Sequence, residues 1–205
     1  MIRSLVVALV AGILYVVLGL AVSHVPPSGI DLAGRALAGE APHLALIFTM
    51  SCYWYVLVSF AIILIVVAIR VPAWRGRAIF AVLTTLVTWQ VSDALKNLFR
   101  RPRPDYWILI HEPTWAYSSG HAMFAVIVYW LWAWFIWNSD LPLIARRIAT
   151  PLLALWGCGV IWSRLALGAH WITDLVGGVL LGVTAIAVAS AIASAARTRS
   201  AAAAT

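Results

Sequence analysis

The chain has 205 residues, of which 64% are apolar and 10% charged, with 14 Lys and Arg against 7 Asp and Glu. A soluble domain is about half apolar and about a quarter charged, so a soluble enzyme, a disordered chain and a disulfide scaffold are all excluded. What remains is a membrane protein whose apolar surface meets lipid, and there the net charge of +7 bears on helix orientation rather than on nucleic-acid binding.

Six apolar runs follow one another, each close to the about 20 residues that cross a bilayer as a helix. They extend from Leu5 to Val22, Leu44 to Ile69, Ala78 to Leu95, His121 to Trp137, Ile148 to Leu165 and Trp171 to Ala193. The pattern predicts an all-α polytopic membrane protein, six transmembrane helices in one bundle over residues 1–195. A small, polar tail over 196–205 is expected to be disordered. The first run exceeds the apolar core of a signal peptide and reads as a retained helix. Cys52 and Cys158 lie inside apolar runs and read as small core hydrophobes. Gly178 and Gly182, four apart, permit a close helix contact inside the monomer.

Basic residues orient membrane helices. With both termini cytoplasmic, the inner loops hold eight arginines (Arg3, Arg70, Arg75, Arg77, Arg146, Arg147, Arg197 and Arg199) and a single acid, Asp140. The outer side then collects Arg35, Lys96, Arg100, Arg101, Arg103 and Arg164 with six acids and all five histidines, His24, His43, His111, His121 and His170. Groups able to do chemistry therefore concentrate at the outer face.

Three stretches there carry candidate chemistry. Lys96, Arg100, Arg101 and Arg103 place four basic residues within eight positions, and Pro102 and Pro104 stiffen the backbone around Arg103. Guanidinium groups grip phosphate oxygens in a fork, and Lys adds a point charge; the same residues also suit lipid headgroups at a helix end. Ser118-Ser119-Gly120-His121 opens the fourth run with a capping Ser and free N–H groups, which suit an anion or an ordinary cap. His170 and Asp174, four apart, share one helical face. The acid can fix one ring nitrogen and leave the other free to attack, or the two can simply satisfy each other.

Lys96-x6-Arg103-Pro104, Ser119-Gly120-His121 and Ser163-Arg164-x5-His170-x3-Asp174 together resemble the three-part signature of the type-2 phosphatidate phosphatase superfamily, integral-membrane lipid phosphatases. The motifs span residues 96–174, and the six-helix layout is similar across nearly the whole chain. Ser118 stands where the family has Pro, which implies a retuned turn before His121. The resemblance implies that His170 is a nucleophile forming a phosphohistidine. Asp174 would orient it, and His121 would protonate the leaving oxygen and then activate water. Lys96, Arg103, Arg164 and the Ser119–Gly120 backbone would hold the phosphate, with no metal and no cofactor. It also implies a lipid substrate, no nucleic-acid partner and a bacterial cytoplasmic membrane with the site facing outward.

Small members of the family act on polyprenyl diphosphate, phosphatidylglycerol phosphate or phosphatidate. An outward site suits a recycled carrier lipid, and Arg100 and Arg101, outside the signature, suit headgroups or a second phosphate. These favour an undecaprenyl-type diphosphate as substrate. Rival readings are an anion transporter, which the apolar helix middles disfavour, and a non-catalytic lipid-binding relative, which would be expected to have lost His121, His170 or Asp174.

Overall fold

The computed structural model describes residues 1–27, 29–108 and 112–202, and among these it contains helices and loops and no strand. Helix α1 spans Ile2–Ser23, and a four-residue helix α2, Ile30–Ala33, follows in the connection. Helices α3, Pro42–Met50, and α4, Trp54–Arg70, come next, then α5, Pro72–Phe99. A continuous rod of three parts, α6 Gly120–Phe124, a π-helical segment Ala125–Trp130 and α7 Leu131–Trp137, leads to α8, Leu143–Ala166, and α9, Ile172–Ala202. Among the described residues five of these helical spans are long and apolar enough to cross a membrane, and six if α3 and α4, bent by 44° at their junction, count as one broken span.

That bend is one departure from the sequence pattern, where residues 44–69 read as one helix. Successive N–H groups of Ser51, Cys52 and Tyr53 bond three residues back, to Phe48, Thr49 and Met50, so the chain tightens and turns. The Ser51 hydroxyl donates to the Phe48 carbonyl at 2.7 Å and competes with the helical ladder. A second departure is the end of the chain. Residues 196–202, expected to be disordered, continue α9, because an Ala-rich run has the best intrinsic helix propensity; residues 203–205 lie outside the described residues.

The rod of α6 to α7 is the centre of the bundle, 61% buried where α1 is 17% buried. The outer helices turn one narrow stripe inward and the rest toward lipid. On α1 the stripe is Ala11, Tyr15, Gly19 and Ser23, spaced four apart, with Tyr15 and Gly19 against Phe99 and Tyr117, while the helix as a whole packs along α9. On α5 it runs Ala78, Ala81, Thr84, Thr88, Ser92, Lys96 and Phe99, so the face that is apolar and small at one end delivers an ammonium at the other. Helix α9 meets the rod at Gly178 and Gly182. A Cβ on Gly178 would fall on the Ser119 carbonyl and 2.8 Å from the Ala122 Cβ, and one on Gly182 2.8 Å from the Val126 Cβ. The glycine pair therefore serves contact within the monomer, as its spacing suggests. Cys52 is buried as expected, whereas Cys158 is exposed on α8, on the bundle's lipid-facing exterior.

Candidate active site

One end of the bundle gathers the C-termini of α5 and α8 with the N-termini of α6 and α9. Lys96 sits on the last turn of α5, inside the helix rather than in the loop, because the left-handed turn at Arg100 (φ 49°) ends the helix four residues later. Ser119 caps α6, its hydroxyl accepting from the Ala122 N–H at 3.4 Å. Its own N–H donates to the Asp174 carbonyl at 3.1 Å. The backbone donors open to an anion are therefore those of Gly120 and His121, in the helix's first turn. Ser118, in the place of the family's Pro, turns its hydroxyl toward the Tyr15 hydroxyl at 3.4 Å. It ties the turn to α1 instead of capping.

Three signature cations converge. Arg103 donates from Nε and Nη2 to the Thr114 carbonyl and hydroxyl (2.6 and 2.9 Å), and Lys96 Nζ lies 3.4 Å from the same hydroxyl. Arg103 Nη2 and Arg164 Nη2 then reach the two oxygens of one carboxylate, Glu112, at 3.1 and 2.8 Å. Arg164 is further fixed by donating to the Thr49 hydroxyl on α3 at 2.6 Å. A carboxylate gripped by two guanidinium groups occupies the position that suits the oxygens of a phosphate. Burial would raise the Glu112 carboxyl, but Arg164, His121, Arg103 and Lys96 outweigh it and hold it at about 2.

His170 lies in the loop before α9 with both ring nitrogens aimed. Arg103 Nη1 is 3.0 Å from Nε2 and also bonds the Ala169 carbonyl at 3.0 Å. A guanidinium only donates, so Nε2 accepts and carries the lone pair, facing the cradle. Nδ1 faces Asp174 Oδ2 at 3.5 Å, longer than an ordinary hydrogen bond. Burial lowers the His170 basicity well below the ordinary imidazole value, and Arg103, Arg164 and Lys96 lower it further. The ring is neutral, the state a nitrogen nucleophile needs. His121 is buried beside the Tyr53 ring, with the Thr49 carbonyl as a hydrogen-bonding neighbour. Its Nε2 has no partner among the described residues. Thus every signature residue, Lys96, Arg103, Ser119, Gly120, His121, Arg164, His170 and Asp174, reaches this one site.

One reading left open by the sequence closes: Arg101, a candidate for headgroups or a second phosphate, is 2% exposed and buried in ion pairs. Its two Nη atoms lie 2.6 Å from Asp174 Oδ1 and Asp31 Oδ2. Arg100 turns back to the Asn97 carbonyl at 2.9 Å and closes the end of α5. The sequence reading also missed Glu112, Thr114, Thr49 and Asp31 as parts of the site. Glu112 has the one available signal, an acid nine residues before His121 in a loop rich in cations. His111, counted with the outer histidines, lies outside the described residues. Among the described residues, no cluster of three His, Cys, Asp or Glu side chains is placed to hold a metal ion.

The family model of the PAP2 superfamily matches residues 53–198. Phosphatidylglycerophosphatase B of Bacillus subtilis (strain 168) is 35% identical over 99 residues, 45% of this chain and 46% of that protein. Phosphatidylglycerophosphatase B of Escherichia coli (strain K12) is 37% identical over 79 residues, 38% of this chain and 29% of that protein. The matched stretches thus span less than half the length of either relative. The crystal structure of the first transmembrane PAP2 type phosphatidylglycerolphosphate phosphatase from Bacillus subtilis shares the fold, with a TM-score of 0.74 at 21% identity over 91% of this chain and 96% of that one.

Proposed function

The chain belongs to the PAP2 superfamily, and from that premise we propose that it hydrolyses the phosphomonoester of a membrane lipid of the phosphatidylglycerophosphate class. The reaction runs without metal, through a phosphohistidine on His170. The observation that carries this reading is the single carboxylate of Glu112 held between Arg103 and Arg164, next to the lone pair of His170. Phosphoryl transfer demands positioning and charge stabilisation above all, and a phosphoryl group in that place is held by both guanidinium groups, Lys96 and the first N–H groups of α6.

The His170 Nε2 attacks phosphorus, and the bond from phosphorus to the lipid oxygen breaks. His121, which takes up a proton from solvent as the dianionic phosphate binds beside it, gives that proton to the lipid oxygen. Water then attacks phosphorus, His121 takes its proton, the P–N bond breaks and inorganic phosphate leaves. Asp174 faces Nδ1 and stabilises the charge that grows on the ring.

The names of the curated relatives favour a phosphatidylglycerophosphate over the undecaprenyl-type diphosphate. One of the two grounds for the diphosphate also weakens, because Arg101 is buried between Asp31 and Asp174 and is not placed to grip a second phosphate. The active-site end faces the extracytoplasmic side of the bacterial cytoplasmic membrane, in keeping with the arginine-rich loops at the other end. Purified protein in detergent, given phosphatidylglycerophosphate, phosphatidate and undecaprenyl diphosphate at equal concentration with excess EDTA, tests the reading. Phosphatidylglycerophosphate should be hydrolysed fastest and EDTA should leave the rate unchanged. Faster turnover of the diphosphate, or a loss restored by Mg²⁺ or Zn²⁺, overturns it.

A further inference from the structure

Behind the catalytic pair lies a buried chain of charges that the signature does not include. Asp174 is fully buried, Arg101 is 2% exposed and Asp31 is 4% exposed. Arg101 bridges the two carboxylates, one Nη to each, at 2.6 Å, and its Nη1 also donates to the Thr173 hydroxyl at 2.6 Å. Asp31 accepts from the Thr173 N–H at 3.0 Å and the Thr173 hydroxyl at 2.8 Å. Asp174 Oδ2 accepts the Trp171 N–H at 2.9 Å and faces His170 Nδ1. Trp171 lies under the Arg101 guanidinium at 5.9 Å, and its indole N–H donates to the Pro102 carbonyl.

We propose that Arg101 and Asp31 are positioning residues for the nucleophile, acting through Asp174 to set the direction and the strength with which that carboxylate holds the His170 ring. The inference rests on the reading of His170 as nucleophile.

Three features go beyond a structural ion pair. First, one guanidinium is shared by two carboxylates, so Asp174 is only partly neutralised and keeps its pull on Nδ1–H. An undivided Arg101–Asp174 pair would spend that charge. Second, the Asp174 oxygens are divided by task. Oδ1 is held by Arg101, while Oδ2 is steered by the Trp171 N–H toward His170. Third, Asp31 comes from α2, a short helix in the connection between α1 and α3, so a segment remote in sequence completes the support of the nucleophile. Breaking such a pair from one side strands a buried charge. Isosteric, charge-removing changes are therefore the informative ones.

His170 faces Arg103 at Nε2 and Asp174 at Nδ1, with Lys96, Arg164 and His121 as its further electrostatic neighbours. Against that fixed background, Asp31→Asn removes a negative charge and Arg101→Gln a positive one. The imidazolium of His170 is then harder to form in the first variant and easier in the second. The full-length protein in detergent, with histidine labelled with ¹⁵N and His170 assigned by its loss in His170→Gln, reports this directly. The His170 titration and the acid limb of kcat/KM should move to lower pH in Asp31→Asn and to higher pH in Arg101→Gln. In both, kcat on phosphatidylglycerophosphate should fall about tenfold or more, the scale of a misplaced reacting group, with KM little changed because neither residue touches the phosphate. The double variant should titrate close to the wild type.

Shifts in the same direction, or a fall in kcat with no shift, would reduce Arg101 and Asp31 to structural ballast and overturn the proposal. If Arg101→Gln does not fold, Asp31→Asn alone decides, since Asn keeps the shape and an acceptor. If the wild type hydrolyses none of the lipid phosphates but the His170 titration still moves oppositely in the two variants, the positioning role stands and the assigned reaction falls.

Discussion

Two adjacent arginines, Arg100 and Arg101, meet opposite fates. The left-handed residue Arg100 reverses the chain and caps α5, and the next side chain enters the protein and binds two carboxylates. At this scale the proposed catalytic roles can be tested one by one. Arg164 has one Nη on Thr49 and the other on the anion position, a fork that an ammonium cannot reproduce. Arg164→Lys should lower kcat/KM by roughly 10²-fold or more, the cost of one lost transition-state donor, and steady-state assays on a short-chain lipid phosphate check it. A small effect there would remove Arg164 from the clamp. In the proposed mechanism His121, whose Nε2 has no partner among the described residues, serves both proton transfers, but only the second is needed when the leaving group is a good one. With p-nitrophenyl phosphate, His121→Asn should therefore give a burst of one nitrophenol per enzyme and a phosphorylated protein that is labile to acid and stable to base. His170→Ala should give neither, and a burst in that variant would exclude His170 as the nucleophile.

At the scale of elements, the site depends on how closely α9 approaches α6. Gly178 has the Ser119 carbonyl and the Ala122 Cβ against its Cα, and Ser119 caps the helix that carries His121. Gly178→Leu must push the start of α6 away from α9, and with it Gly120, His121 and the N–H groups of the proposed phosphate site. Gly76 on α5 is the contrasting case, because a Cβ there would meet nothing within 4 Å. Gly76→Ala should leave activity intact and raise thermal stability slightly, as Ala for Gly does in an exposed helix. Gly178→Leu should lower kcat/KM by roughly 10²-fold, the cost of a displacement on the order of 1 Å. Equal effects of the two substitutions, measured on protein that elutes as a single species, would show that the contact does not set the site.

For the whole molecule, the arrangement of charge makes a prediction about sidedness. Asp105 is exposed near the active-site end and Arg75 is exposed at the opposite end. In a Cys158→Ala background, with Cys52 buried, Asp105→Cys should react with an impermeant maleimide in intact cells and Arg75→Cys only after lysis. Reversed labelling would place the active site in the cytoplasm.

Hydropathy was enough to read six apolar segments and an all-α bundle, and the resemblance of three short motifs to a known family supplied the candidate site residues. Transfer of apolar surface to lipid is decided residue by residue, and side chains four apart on a helix share a face whatever surrounds them. Lys96, read as the start of a loop, is instead buried at the end of α5, where it continues the stripe of Ala81, Thr84, Thr88 and Ser92. The tertiary structure alone decided the rest. Glu112 comes from a loop without periodicity, and Asp31 lies 70 residues from Arg101 and 142 from Thr173, so no local pattern links them. A buried charge is tolerable only where the fold supplies its counter-charge. Which arginine goes inside was therefore settled when α2, the end of α5 and the start of α9 met, and no stretch of sequence contains that meeting.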